Sequence, residues 1–224
     1  MVSVARFVFN PFKENTYLVW DSTLEGVVID PGNNYQREHD ALLGYINSKG
    51  VKIEAVVATH GHYDHLCGAQ YLVEHLPYDV KFALSVDDIE VYENAPYDGE
   101  RYEFRFRTIP FQLDMASVNR ICFGASALEV IPTPGHTIGH VSLFERSSKL
   151  LFTGDTLHRG TIGRTDLFTS SYKALTSSII NNLLPLGDDV TIYAGHGPES
   201  TIGYERTNNK YLLYPTQEEL LSHL

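Results

Sequence analysis

His60, His62, Asp64 and His65 fall within six residues, in the run Thr59-His60-Gly61-His62-Tyr63-Asp64-His65. Neutral imidazoles and a carboxylate are good ligands for Zn²⁺ and similar divalent ions. A tight loop after a buried strand can turn such side chains inward. Three further ligand-type residues repeat one local pattern. His136 follows Pro134-Gly135, Asp155 follows Gly154, and His196 lies between Gly195 and Gly197. Each comes at the carboxyl end of a predicted strand, beside a glycine that allows close backbone approach. This recurrence of strand end, glycine and ligand is a stronger signal than any single histidine. The competing reading of 59–65 is a polar loop with surface histidines.

The elements that must position these residues read as strands and helices in alternation. Arg6 to Phe9, Thr16 to Trp20 and Val27 to Asp30 are rich in β-formers and are separated by turn residues. Asn33, three residues before Gln36, suggests a capping box opening a helix with Leu42, Leu43 and Ile46 on one face and an end near Gly50. Glu54 to Ala58 suits a buried strand leading into the histidine run. A short helix is expected from Gly68 to His75 and a strand from Val80 to Leu84. Residues 87–115, rich in Tyr, Glu and Arg, read as an excursion with one helix from Val86 to Asn94. Strands resume at Arg120 to Phe123, Ala127 to Ile131, Val141 to Phe144 and Leu150 to Thr153. A helix from Ser171 to Leu184, a strand from Val190 to Ala194 and a final helix from Gln217 to Leu224 complete the pattern. Two αβ halves are expected, their sheets packed face to face with helices outside.

THGHYDH, TPGHTIGH, GDT and AGHGP resemble the motifs of the metallo-β-lactamase-fold hydrolases, and Ile29-Asp30-Pro31-Gly32 is similar to that family's opening. GDTLHRGTIGRTDL from Gly154 and GHGPESTIGYER from Gly195 resemble the glyoxalase II-like branch. The resemblance implies one α/β (α+β) domain over residues 1–224, a four-layer αββα sandwich with the metal site at one edge of the sheets. It implies that His60, His62 and His136 hold one metal ion, that Asp64, His65 and His196 hold a second, and that Asp155 bridges both. The implied cofactors are two divalent ions, Zn²⁺ first, with Fe or Mn also compatible. The implied reaction is hydrolysis of a small thioester such as S-lactoylglutathione by a metal-bridging hydroxide, with Asp64 also orienting the nucleophile. A thioester suits such a site because a thiolate leaves without strong acid help.

Three departures bear on the substrate. With the sequence given to Leu224 after His196, the helical glutathione-binding domain of glyoxalase II proper is not expected. Arg164 and Asp166 stand where fuller enzymes have a lysine and a tyrosine that contact glutathione. His158 stands where an apolar aromatic residue is common. Any glutathione site is therefore expected to be incomplete or different, with Arg164, Asp166 and His158 as candidate substrate-side residues. Gly163-Arg164-Thr165-Asp166 also resembles the persulfide dioxygenases, which use one iron at the positions of His60, His136 and Asp155. A third reading is a non-catalytic metal-binding or redox partner on the same fold.

Asp30, at a strand end, is a candidate acceptor for the far nitrogen of a metal-bound histidine. His140 reads as a neighbour of the ligands, Cys67 as a buried structural thiol, and His39, His75 and His223 as surface residues. Tyr92, Tyr97 and Tyr102 could form a substrate lid. The net charge of −11 repels phosphate backbones, so a nucleic-acid partner is not expected. Two cysteines exclude a disulfide framework and fit a reducing cytoplasm. No apolar run approaches a bilayer span or a signal peptide, so no membrane partner is expected.

Overall fold

The computed structural model describes residues 1–213. The expected helix at Gln217–Leu224 and His223 lie outside them. Two six-stranded sheets dominate. The first runs in chain order: β1 (Ser3–Phe9), β2 (Glu14–Trp20), β3 (Glu25–Ile29), β4 (Lys52–Val57), β5 (Lys81–Leu84) and the short β6 (Leu113–Asp114). Helices α1 (Gln36–Lys49), α2 (Tyr63–Leu66), α3 (Ala69–His75) and α4 (Ile89–Glu100) are threaded through it. The second sheet contains β7 (Arg120–Phe123), β8 (Ser126–Pro132), β9 (Val141–Glu145), β10 (Leu150–Gly154), β13 (Thr191–Ala194) and β14 (Ser200–Thr201), in the order β14-β13-β10-β9-β8-β7. A small ribbon, β11 (Leu157–His158) with β12 (Thr161–Ile162), and helices α5 (Tyr172–Ser178), α6 (Ile202–Asn208) and α7 (Lys210–Leu213) complete the described chain.

Alternation along the strands builds the layers. Tyr17, Val19, Val27, Ile29, Ala55 and Val57 face Ile121, Phe123, Leu128, Leu143 and Phe152 of the other sheet in one buried cluster. The residues between them, Leu18, Val28 and Val56, point the opposite way and pack on Leu42, Ile46, Leu66 and Leu72 of the helices, joined by Ile53 across a register shift in the β3–β4 pairing. On the far side, Leu151, Ile192 and Ala194 pack on Leu175, Ile179, Leu183 and Ile202. The result is the expected αββα order. β3 pairs parallel with β4, and β10 pairs parallel with β13. Their carboxyl ends therefore open on the same edge, where the chain continues into Asp30, His60, Asp155 and His196.

Several elements differ from the sequence expectation. Helix α1 opens at Tyr35, not Asn33, because the Glu38 carboxylate accepts the Asn34 and Tyr35 backbone N–H groups at 2.9 and 3.2 Å. Asn33 is instead buried and hydrogen-bonded to His39. The helix expected to end at Asn94 continues to Glu100 through Pro96, since Val91, Tyr92, Ala95 and Gly99 give it a buried face. The helix expected over Ser171–Leu184 is α-helical only to Ser178, then a π turn to Leu183 and a 3₁₀ turn over Leu184–Leu186. Pro185 has no N–H to continue the ladder, and Asn182 turns aside to donate to the Pro132 carbonyl at 2.9 Å. Helix α6, capped by the Thr201 hydroxyl on the Tyr204 N–H, was not among the expected elements.

Candidate metal centre

The loop after β4 and helix α2 carry four of the predicted ligands, the β8–β9 turn carries His136, and the ends of β10 and β13 carry Asp155 and His196. Main-chain bonds lock these pieces together. Val141 N–H donates to the Thr59 carbonyl at 2.9 Å, Gly195 N–H to Gly154 at 2.8 Å, and Asn15 N–H to Gly195 at 2.7 Å. Gly195 is required by crowding, since a Cβ there would lie 2.5 Å from the His65 ring and 2.6 Å from an Asp155 oxygen.

Ligand atoms of His60, His62 and His136 all lie within 4.8 Å of one another, and so do those of Asp64, His65 and His196. Asp155 stands between the two groups. Its Oδ2 is 3.5 Å from His136 Nε2, while its Oδ1 is 3.5 Å from His65 Nε2 and 3.8 Å from His196 Nε2. Each oxygen of one carboxylate thus faces a different cluster. Asp64 Oδ2 lies 3.4 Å from His196 Nε2 and 3.8 Å from His65 Nε2.

The outer nitrogens are anchored as metal ligands require. His136 Nδ1 bonds the Arg164 carbonyl at 2.9 Å, and His196 Nδ1 bonds the Phe12 carbonyl at 3.1 Å. A carbonyl can only accept, so both Nδ1 atoms carry a proton and both rings turn Nε2 inward. His65 Nδ1 meets Asp30 Oδ2 at 3.1 Å, and Asp30 is itself fixed by the Thr59 N–H at 2.7 Å and hydroxyl at 2.9 Å. Asp30 therefore occupies the expected acceptor position. His60 Nε2 is buried with no hydrogen-bond partner. A buried orphan nitrogen is costly, and a cation among these donors would satisfy it. The donor set, nitrogen-rich on one side and mixed nitrogen and carboxylate on the other, fits divalent ions of the Zn, Fe and Mn kind.

Electrostatics divide the cluster the same way. Burial, reinforced by His65, drives His60 well below the ordinary imidazole range. Burial and His136 take His62 down to about 3, and burial lowers His136 against the pull of Asp155. For His65, burial opposes the charge, but Asp155 and Asp64 hold it well above the usual value. His196 is raised in the same way, with Asp155 and Asp64 outweighing burial. Burial also opposes ionisation of Asp155, yet His196 and His65 keep it well below the usual carboxylate range. The histidines of the first cluster are thus neutral, while those beside the carboxylates hold protons that a cation would replace.

The remaining predicted residues sort by contact. His158 Nε2 meets Asp155 Oδ1 at 3.1 Å, which places it at the edge of the cluster. His140 is buried, and its Nε2 accepts the Asp155 N–H at 3.1 Å, so it holds the loop of a predicted ligand. Arg164 meets the site through its main chain; its guanidinium pairs with Asp166 at 2.9 Å on the surface. Cys67 is buried, and burial with Glu14 nearby pushes its thiol well up. Tyr102 packs edge-on to Phe12 and stacks on Tyr63, and Tyr63, between His62 and Asp64 in the chain, packs edge-on to the buried Phe104. Tyr92 is buried, with its hydroxyl bonded to the Ile109 backbone, so it is no lid residue. Tyr97 is exposed.

Two acidic residues escaped the sequence reading. Glu14 is fully buried beside Asp30 and His65, its Oε1 without a hydrogen-bond partner, and burial raises its carboxyl well above the usual range. Glu14 opens β2 beside Lys13, Asn15 and Thr16, so nothing in the local sequence sets it apart. The other is Asp88, buried between the His60–His62 loop and the His136 turn.

The chain is similar to several known proteins. Hydroxyacylglutathione hydrolase GloC of Haemophilus influenzae is 35% identical over 205 residues, covering 90% of this chain and 93% of that protein. The BLEG-1 B3 metallo-beta-lactamase superposes with a TM-score of 0.85 at 27% identity, over 94% of this chain and 99% of that one. TTHA1623 in a di-iron-bound form superposes at 0.82 with 32% identity, over 93% and 100%. ETHE1 from Myxococcus xanthus, at 23% identity and a TM-score of 0.79 over 98% and 88%, shares the fold. The metallo-beta-lactamase superfamily pattern matches residues 9–196. With that match over most of its length, the chain belongs to the metallo-beta-lactamase superfamily.

Proposed function

We propose that this protein is a dinuclear metal-dependent thioester hydrolase of the glyoxalase II type, acting on S-lactoylglutathione or related small thioesters. The observation that carries the reading is Asp155, whose two oxygens face two separate clusters of nitrogen donors. His60, His62 and His136 would hold one ion, Asp64, His65 and His196 the other, with Asp155 shared. The similarity to a hydroxyacylglutathione hydrolase supports the thioester class. Two divalent ions there, Zn²⁺ being the expected pair, would supply a water acidified toward neutrality and a Lewis acid for the substrate carbonyl.

The chain's own residues supply the order around that chemistry. Asp64 has its main-chain carbonyl pinned by Asn10 Nδ2 at 2.9 Å, which holds the turn that presents its carboxylate, and that carboxylate would orient the attacking water. His136 and His196, locked by backbone carbonyls, keep one tautomer and one orientation. Tyr102, exposed and stacked on half-buried Tyr63, would give the thiol arm an aromatic surface to lie on. With Arg164 paired to Asp166, no free cation of that segment is directed at a glutathione carboxylate.

The reading predicts that glutathione contributes little. With zinc-loaded protein, S-lactoylglutathione and a lactoyl thioester of a truncated thiol should differ in kcat/KM by roughly tenfold or less, mainly through KM. A preference of several hundredfold, a difference of about 3–4 kcal/mol, would reveal a dedicated tripeptide site. The iron-dependent persulfide dioxygenase is the second reading, prompted by Gly163-Arg164-Thr165-Asp166. Oxygen uptake on glutathione persulfide with no thioester hydrolysis would favour it. The Asp64–His65–His196 cluster, which a mononuclear centre at His60, His136 and Asp155 would not use, favours the hydrolase.

A further inference from the structure

We infer that Asp88 is a positioning residue that sets the spacing between the His60–His62 loop and the His136 turn, and so tunes the three-histidine subsite separately from the Asp64–His65–His196 subsite. The inference rests on the metal-centre reading above but not on the thioester reading.

Asp88 ends the 3₁₀ turn Val86–Asp88 and leads into α4. Its side chain is fully buried. Oδ2 accepts the Gly61 N–H at 2.8 Å and the Thr137 hydroxyl at 2.6 Å, and Oδ1 accepts the Gly139 N–H at 2.6 Å. Gly61 lies between His60 and His62, and Thr137 and Gly139 follow His136. One carboxylate therefore takes hydrogen bonds from both loops that present the three histidines. The two glycines are fitted to it. A Cβ on Gly139 would come within 2.5 Å of the Asp88 nitrogen, and one on Gly61 within 2.9 Å of the Tyr92 nitrogen and 3.2 Å of the Asp88 carbonyl.

The partners of the other cluster lie elsewhere. His65 is held by Asp30, and His196 by the Phe12 carbonyl. No hydrogen bond of the Asp88 side chain reaches either, so its effect on the two subsites should be unequal. At the base of the loops the Val141–Thr59 main-chain bond remains whatever Asp88 does. The side chain acts at the tips, where His62 Nδ1 and His136 Nε2 approach to 3.0 Å. Charge-assisted bonds to backbone N–H groups are the strong kind, and loss of a residue that orients ligands from behind typically weakens metal binding about 10–100-fold.

The test is stepwise metal affinity by competition with a chromogenic zinc chelator, with cadmium NMR to tell the three-histidine environment from the one that adds Asp64. In Asp88→Ala, one cation should bind about 10–100-fold more weakly, and the three-histidine cadmium signal should shift or broaden. The second affinity and signal should match the parent protein. Asp88→Asn keeps one accepting oxygen but sets an N–H₂ against a donor, so it should fall between parent and Asp88→Ala. Thr137→Val removes one of the three bonds and should shift the same affinity in the same direction by a smaller factor. It carries the test if Asp88→Ala does not fold. Equal weakening of both cations, or no change in either across the folded variants, overturns the inference. A parent protein that takes no cation at the three histidines overturns it together with the metal-centre reading. A parent that binds two cations yet hydrolyses no thioester leaves it standing.

Discussion

Asp155 meets nitrogens of both clusters, one through each oxygen, and His60 and His65, one from each cluster, also group with it. Its removal should therefore be felt by both ions. Asp155→Ala should lose full occupancy of both subsites and at least about 100-fold in activity. His196→Ala should empty only the second, and Asp64→Asn should keep the fold while lowering kcat, since an amide is the weaker ligand. Elemental analysis and circular dichroism of the three variants check this, and wild-type metal content in Asp155→Ala would contradict the assignment. The opposed pKa shifts give a second expectation. His65 and His196 are raised, so in the metal-free protein they keep their protons to higher pH than a free imidazole, and a cation must displace them. His60, His62 and His136 are lowered and have none to lose there. Affinity of the carboxylate-side subsite should thus rise with pH through the neutral range while that of the three-histidine subsite stays flat. Calorimetric titrations in buffers of different ionisation enthalpy measure the protons released at each step. Equal release at both steps would contradict the division.

At the scale of elements, one carboxylate joins the two sheets away from the site. Asp21, just after β2, accepts the Thr23 N–H and hydroxyl at 2.8 and 2.6 Å and reaches across to the β7–β8 turn, where it accepts the Ala125 N–H at 2.8 Å and the Ser126 hydroxyl at 2.9 Å. Burial opposes its ionisation, but these bonds lower its pKa to about 2. The stability it contributes is present above its unfolded value of about 3.9 and is lost as pH falls through about 2. Asp21→Ala should cost about 1–3 kcal/mol near neutral pH, measured by urea denaturation, and the gap to the parent protein should shrink in strong acid. A gap that persists at low pH would assign the loss to packing instead. The strands around this contact were legible in the sequence because period-two alternation and flanking turn residues mark them, and Arg120–Phe123 matches to the residue. The π turn at Ile179–Leu183 was not, since it arises from a tertiary contact of Asn182 with Pro132. His60, His62, Asp64 and His65 were legible because four ligand-type residues fall within six, and His136, Asp155 and His196 because glycine-flanked strand ends repeat. Glu14 and Asp88 were not, because their meaning depends on what the fold packs against them, which no spacing in the chain records.

For the whole molecule, the centre sits on the seam between the halves. His60, His62, Asp64 and His65 come from the first sheet's loops, and His136, Asp155 and His196 from the second's. The net charge of −11 favours cations over phosphate backbones, and no helix among the described residues is long and apolar enough to cross a membrane. The central claim is that this seam holds two ions that share Asp155. Its most direct test is the metal content of untagged protein by elemental analysis after exhaustive dialysis. The account predicts two equivalents of divalent metal per chain, zinc foremost. A single equivalent of iron that stays at one per chain when further metal is offered would contradict it.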